Sequence, residues 1–329
     1  MRLVQHVTLV PAVVASCLLV SAHVHAQTDT AANYPARPIR IVVPQSPGGS
    51  TDLTARLVAK QLNDAFKQSA VVDNRPGAGS TSGTEIVSRA AADGYTMLVV
   101  ASSFTINPAL YKKLPYDPIR DFSPITQLSR FPNMICAHPS LPAKTLADMI
   151  ALAKAKPGTL NYASAGTGTG THMSAELLRQ MTGIDIVQVP FKGGGPAMVA
   201  AIGGQTQLIV STAVGLLQHV RSGKLRPLAV TSAKRSPSAP EIPAIAETVP
   251  GYDHEPWNGL LAPAKTPPAI VAKINAEVVR MLQSAEVKKI FASEAGEAVG
   301  NTPAEFTALI KSESAKWAKV VQVGGIKIE

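Results

Sequence analysis

Three glycine-bearing segments carry the chemistry this chain offers. The first is Pro44-Gln45-Ser46-Pro47-Gly48-Gly49-Ser50-Thr51-Asp52, and the second is Ser164-Ala165-Gly166-Thr167-Gly168-Thr169-Gly170-Thr171-His172. The third is Pro190-Phe191-Lys192-Gly193-Gly194-Gly195-Pro196. Each lies between an apolar run that reads as a strand and a segment that reads as a helix. Glycine lets the backbone come close to a guest. The first N–H groups of a helix have no intrahelical acceptor, and the dipole behind them favours negative charge. Ser50 suits the N-cap of the first helix. Three Thr hydroxyls add donors to the second loop, and Lys192 adds a cation to the third. The chemistry implied is capture of a small anion. Taken singly, each loop also reads as a tight turn before a capped helix. Three of them at the carboxyl ends of strands, where open α/β sheets bind ligands, favour an anion site. One loop per lobe facing a cleft is the geometry of a hinge-closing binder.

Other chemistries fit less well. Gly166-x-Gly168-x-x-Thr171 lacks the third glycine of a dinucleotide fingerprint, and there is no Gly-Lys-Ser/Thr for a P-loop. Tyr162-x-Ser164-x-Gly166 lacks the first glycine of a nucleophile elbow, and Ser-x-x-Lys does not occur. A hydrolase using Ser164 or Ser46 stays open as an alternative, but no motif supplies its His and carboxylate partners. His254-Glu255 runs into Pro256 instead of a metal-binding helix. His172 and Glu176, four apart on an expected helix, can share a face, yet zinc needs at least three protein ligands and no third is apparent. We expect a surface pair, no metal and no cofactor. His172 also stands in the first turn after the second loop and is a candidate ligand contact. Asp52 reads equally as a dipole-stabilised carboxylate or a contact to a ligand's distal polar group. Arg40 and Arg75 read as surface or lobe-internal ion pairs before carboxylate clamps.

The elements that position these loops alternate. Strands are expected at Ile39–Val43, Val71–Asp73 and Thr96–Val100, with helices at Thr51–Phe66 and Glu85–Ala92. The order repeats with strands at Asn133–Ala137, Leu160–Ser164, Ile186–Val189, Leu208–Ser211 and Leu225–Thr231. Helices are expected at Leu146–Lys154, Thr171–Met181, Ala197–Ile202 and Val214–Ser222. Residues 234–256 hold five Pro and read as a long surface connection. A strand at Trp257–Ala262 is then followed only by helices, over 268–283, 286–294 and 303–321. Such a strand fits best by returning to the first sheet. That gives an α/β protein of two lobes, each a largely parallel sheet flanked by helices. The first lobe is discontinuous, 34–128 plus 257–329; the second is 129–256, with crossovers near 129 and 256.

Composition agrees. The chain has 329 residues, more than one core usually serves. Its 46% hydrophobic and 16% charged residues exclude a disordered chain. The net charge of +9 is spread singly and in pairs, and aromatics are only 5%, so nucleic-acid binding is excluded. Residues 1–26 read as a secretory signal cut after Ala26, with Arg2 ahead of an apolar run from Val7 to Val20. A membrane anchor and lipidation at Cys17 are weaker alternatives, because the run is short and apolar residues follow the Cys. Cys136 then stands alone and reads as a buried small hydrophobe.

The chain resembles the periplasmic solute receptors of tripartite tricarboxylate transporters, also called Bug-type receptors, over nearly all of 34–325. The resemblance rests on Tyr34-Pro35-x-Arg37-Pro38-Ile39-Arg40, Pro47-Gly48-Gly49-Ser50-Thr51-Asp52 and Val72-Asp73-Asn74-Arg75-Pro76-Gly77-Ala78-Gly79. It continues through Asn107-Pro108-x-Leu110-Tyr111, Asn161-Tyr162-x-Ser164-x-Gly166-x-Gly168-Thr169, Val189-Pro190-Phe191-Lys192-Gly193 and Trp257-x-Gly259-Leu260-x-Ala262-Pro263. It implies the two-lobed type II periplasmic binding protein fold, an exported monomer that is not an enzyme, and delivery of a small carboxylate to membrane permease subunits. A receptor that signals to a membrane sensor is the alternative partner. Carried over to this sequence, the ligand contacts implied are Ser46, Gly48, Gly49, Ser50, Thr51, Gly166, Thr167, Gly168 and Thr169. Asp52, Ser103, Thr105, Asn107 and Lys192 extend the set. The family often has Asp-Asn where this chain has Ser211-Thr212, which tilts the ligand away from amino acids toward plain mono- or dicarboxylates or aromatic acids; the function expected is capture of a di- or tricarboxylate or an aromatic acid.

Overall fold

The computed structural model describes residues 32–326 except Ser238 and Glu294. The signal expected over 1–26, with Cys17 inside it, lies outside the described residues. The chain begins with β1 (Ile39–Val43), α1 (Ser50–Phe66), β2 (Ala70–Asn74), α2 (Thr81–Ser88), β3 (Thr96–Ala101), α3 (Ser103–Leu110) and β4 (Phe122–Arg130). It crosses to β5 (Asn133–Ala137), α4 (Leu146–Ala155), β6 (Leu160–Ser164), α5 (Gly170–Thr182), β7 (Ile186–Pro190), α6 (Gly194–Ile202), β8 (Leu208–Thr212), α7 (Ala213–Arg221) and β9 (Arg226–Val230). It returns with β10 (Trp257–Pro263), α8 (Pro268–Gln283), α9 (Ala285–Ser293), β11 (Glu297–Ala298) and α10 (Pro303–Gly324).

Two sheets result, in the orders β11-β4-β10-β3-β1-β2 and β7-β6-β8-β5-β9. The apolar, β-branched β1 is buried nearly throughout, as a strand covered on both faces requires. The strand at 257–263 does join the first sheet. Each sheet carries one inner antiparallel strand: β10 against β3 and β4, and β5 against β8 and β9. A strand arriving from the other lobe enters at the cleft end, whereas β1, β3, β6 and β8 finish there, so it must run the opposite way. The two connections are tied to each other where they pass. Phe131 N–H donates to the Pro256 carbonyl at 2.8 Å, and Thr231 N–H donates to the Asn133 carbonyl at 2.9 Å.

Several expectations change. No strand was expected at β4, because Ser123, Pro124, Thr126, Gln127 and Ser129 hide its pattern; it is nonetheless an inner strand between β10 and β11. The helix expected at Glu85–Ala92 instead spans Thr81–Ser88, and α3 was not expected because Pro108 lies inside it. The Pro-rich stretch 234–256 is not merely a surface connection. It buries Ile242, Ile245, Tyr252 and His254, which close the second core. The last turns of α10 bridge the lobes: Trp317, Val320 and Val321 pack with Ile106 and Leu110 of α3 and with Met173 of α5. Cys136 is fully buried, and burial pushes its thiol pKa far up. Among the described residues, no helix is long and apolar enough to cross a membrane.

Candidate functional site

Both lobes line one cavity of about 240 Å³. The first lobe contributes Gln45, Gly79, Ser80, Ser102, Asn107 and Tyr111. The second contributes Asn133, Thr167, Gly168, Thr169 and Thr212, and Pro256 closes it at the crossover. Among the described residues, no formally charged side chain lines it. Its polarity comes from hydroxyls, amides and backbone. A hollow of similar volume on the outside of the first lobe lies between α1, α8 and α9, where the Ser284 hydroxyl accepts from the Val287 N–H of α9 at 3.3 Å.

Helix ends give the cavity its sign. Ser80, Ser102 and Thr212 are the N-caps of α2, α3 and α7, and none makes a side-chain cap hydrogen bond among the described residues. All three line the cavity. Of the helices that begin elsewhere, α4 and α10 carry complete capping boxes, Thr145 with Asp148 and Thr302 with Glu305, whereas α1, α6 and α8 start without a side-chain cap hydrogen bond. A fourth N-terminus in the lining, that of α5, is capped by Thr169, whose hydroxyl accepts from the His172 amide, so the N-termini without a side-chain cap at the cavity are those of α2, α3 and α7. A carboxylate at such an end gains about 0.3–1 kcal/mol when exposed and up to about 2 kcal/mol when partly buried.

The loops expected to bind are distributed unevenly. Ser103, Asn107, Thr167, Gly168 and Thr169 line the cavity. Gly166 does not; it packs against the third loop, where an added Cβ would stand 3.3 Å from the Phe191 carbonyl oxygen. Ser46, Gly48, Gly49 and Ser50 are exposed and follow the lining residue Gln45. Lys192 is exposed, away from the lining. Thr105 is buried, and its hydroxyl donates to the Ser102 carbonyl at 2.9 Å. Thr51 is buried too, donating to Asn258 Oδ1 at 2.9 Å.

Asp52 and His172 brace their loops in the same way. Each is the third residue of its helix, and each accepts the N–H of the glycine four residues earlier. Gly48 donates to Asp52 Oδ2 at 3.0 Å, and Gly168 donates to His172 Nδ1 at 3.1 Å. Both glycines have positive φ, 91° and 78°. These two amides, which glycine spacing alone offers to an anion, are thus taken internally. Asp52 is further held by Arg56 Nε at 3.0 Å and Asn74 Nδ2 at 3.1 Å. Burial raises its carboxyl pKa, but Arg56, the Gly48 amide and Asn74 outweigh it and hold the group below the usual range.

His172 and Glu176 are not a surface pair: both are buried. The helix face they share is turned inward by the second core, and Glu176 is paired with Arg179, at 2.9 Å to both oxygens. Among the described residues, no group of three His, Cys, Asp or Glu is placed to hold a metal. Arg40 and Arg75 both pair with Asp73 instead of reaching the cavity. The lining residues outside the three glycine segments and the implied contacts are Gly79, Ser80, Ala101, Ser102, Tyr111, Asn133, Thr212 and Pro256. Of these, Gly79 stands in the motif Asn74-Arg75-Pro76-Gly77-Ala78-Gly79, one of the stretches that carry the family resemblance, though it was not among the expected contacts.

Two pseudo-equivalent α/β lobes, joined by paired crossovers around an uncharged cavity rimmed by helix N-termini, define a solute receptor of the type II periplasmic binding fold. The model of the tripartite tricarboxylate transporter family receptor matches residues 54–326, and the chain belongs to that family of substrate-binding receptors. Protein BugT of Bordetella pertussis is 37% identical over 303 residues, covering 91% of this chain and 93% of the relative. Among solved structures, R. palustris Rpa4515 with adipate is 35% identical with a TM-score of 0.81, covering 90% of this chain and all of that one. MatC (Rpa3494) from Rhodopseudomonas palustris with bound malate is 32% identical with a TM-score of 0.77, covering 88% of this chain and 100% of that one.

Proposed function

We propose that this chain is an exported periplasmic receptor that captures a small di- or tricarboxylate between its lobes and delivers it to the membrane permease of a tripartite tricarboxylate transporter. The observation that carries the reading is the convergence of three uncapped helix N-termini, at Ser80, Ser102 and Thr212, on one cavity without a charged side chain. Neutral donors and helix dipoles favour carboxylate groups. An ammonium would find no counter-charge in the lining, so amino acids are disfavoured. A volume of about 240 Å³ suits a ligand smaller than drug-sized ones. The adipate and malate in the two R. palustris relatives have this chemistry.

The working contacts are Ser103, Asn107, Thr167, Gly168 and Thr169, joined by Ser80 and Thr212. Gly48, Gly49 and Ser50 approach the ligand only on further closure. We place lobe boundaries at 34–128 plus 257–329 and at 129–256, cleavage after Ala26, and a monomeric receptor without a cofactor. Calorimetric titration of the mature chain with adipate, malate, citrate, benzoate, aspartate and a sugar tests the reading. Binding of one or more of the acids without an amine is expected. Binding of the sugar or aspartate alone overturns it.

A further inference from the structure

We infer that His172 is a positioning residue for the second-lobe ligand loop: its Nδ1 pins the Gly168 amide and thereby sets the wall that Gly168 and Thr169 present to the cavity. This deepens the proposed carboxylate site and rests on it.

The geometry is one-directional. The Gly168 N–H donates to Nδ1 at 3.1 Å, so Nδ1 must carry a lone pair, and in the neutral ring the proton sits on Nε2. Nε2 faces Glu176 Oε1 at 3.7 Å, an electrostatic contact beyond hydrogen-bond range. Glu176 is itself immobilised: Arg179 Nη1 lies 2.9 Å from both of its oxygens, and Tyr162 Oη on β6 donates to Oε1 at 3.2 Å. A chain of contacts thus runs from the cavity wall, through the imidazole and a clamped carboxylate, to the sheet. Glu176 alone of these faces the ring; Arg179 on the same helix and Tyr162 on the strand beneath act on it through Glu176.

Thr169 shows why this matters. Its hydroxyl donates to the Gly166 carbonyl at 2.6 Å and contacts Thr171 Oγ1 at 2.9 Å, so the loop's hydroxyls are committed to its own shape. Gly168 has a φ of 78° and no side chain to hold it there. The imidazole supplies that restraint. In the first lobe, Asp52 supplies it to Gly48 from the same helical position. His172 sits behind the wall it shapes, and it is not itself a lining residue.

Two polar replacements separate the ring's nitrogens. His172→Asn puts a carbonyl oxygen where Nδ1 stood; His172→Gln puts its amide near Nε2 and leaves Gly168 without an acceptor. Amide exchange at Gly168, read by NMR on the ligand-free full chain, is expected to be slow in wild type and Asn, and fast in Gln. Adipate and malate affinity is expected to stay within about threefold of wild type in Asn and to fall about tenfold or more in Gln. Urea midpoints report on folding of both variants. Equal affinity in all three proteins overturns the inference, as does an Asn variant that protects Gly168 yet binds as weakly as Gln. If wild type binds no carboxylate, the proposed function fails, and the Gly168 exchange comparison still decides the brace.

Discussion

Ser102 and Gly170 face each other across the cleft at near-contact distance. A Cβ built on Gly170 would stand 3.8 Å from Ser102 Oγ and only 3.0 Å from Pro256 Cγ. Ser102 caps a first-lobe helix and Gly170 opens a second-lobe one, so the spacing between lobes is read at this point. Glycine is required by close approach here, whereas at Gly48 and Gly168 it is suited by positive φ.

Gly170→Ala therefore separates binding from stability. Gly170 is the first residue of α5, so the mid-helix preference for alanine of roughly 0.5–1 kcal/mol applies only in part and is opposed by the tight contact with Pro256; the urea midpoint is expected to shift little. The added methyl group obstructs lobe approach, and adipate or malate affinity is expected to fall about five- to tenfold by calorimetry. A midpoint that drops with affinity unchanged would contradict this.

Asp52→Ala removes one carboxylate that accepts from Gly48, Arg56 and Asn74. Hydrogen bonds to charged groups are worth about 1.5–3 kcal/mol, so a loss of about 2 kcal/mol is expected at pH 7 in urea denaturation. The carboxyl is held below its unfolded value of 3.8, so its contribution is full above that pH and disappears as pH falls through the lower folded value. Wild type and variant should thus converge in stability at strongly acid pH.

His254 makes stability depend on pH in the neutral range. It is fully buried beside Trp317, its Nδ1 lies 2.9 Å from Ser174 Oγ, and its pKa is driven well below 6.5 by burial and, secondarily, by Lys316. The unfolded chain takes up a proton near 6.5 and the folded chain does not. The stabilisation is present above 6.5 and is lost as pH falls below it, by up to about 1.4 kcal/mol per pH unit for each such histidine. His172, lowered by burial against the opposing pull of Glu176, adds in the same direction. Urea midpoints at pH 7.5, 6.5 and 5.5 should decline, and less steeply in His254→Asn.

Thr212→Asp tests the charge logic of the cavity. Thr212 is an uncapped N-cap in the lining. An aspartate there satisfies the orphan amides of α7 and opposes a carboxylate guest, so dicarboxylate affinity should fall more than tenfold while thermal stability holds. A variant that binds adipate or malate undiminished would show that α7 does not face the ligand.

The architecture was readable because the strands are short apolar runs between turn residues, and because a lone strand at 257–262 followed by helices has nowhere else to pair. β4 escaped because its partners, β10 and β11, come from more than a hundred residues downstream, and partner strands, not its own pattern, make it a strand. In the site, the glycine loops marked where the wall would be but not which atoms face the guest. Gly48 and Gly168 each have a side-chain acceptor four residues on, a spacing visible in the sequence that diverts both amides. Asn133 and Pro256 reach the lining only through lobe apposition, which no local pattern encodes.

The inner antiparallel strand of each sheet also imposes an order of assembly. The second sheet is complete once the chain has been made as far as β9, since β5 through β9 are contiguous. The first sheet keeps an open slot between β3 and β4 until β10 is supplied, beginning at Trp257, 127 residues after β4 ends at its partner Arg130. For a polypeptide threaded amino end first through a translocation pore, the later-starting half thus matures earlier, while the leading half waits with an unfilled gap at its centre.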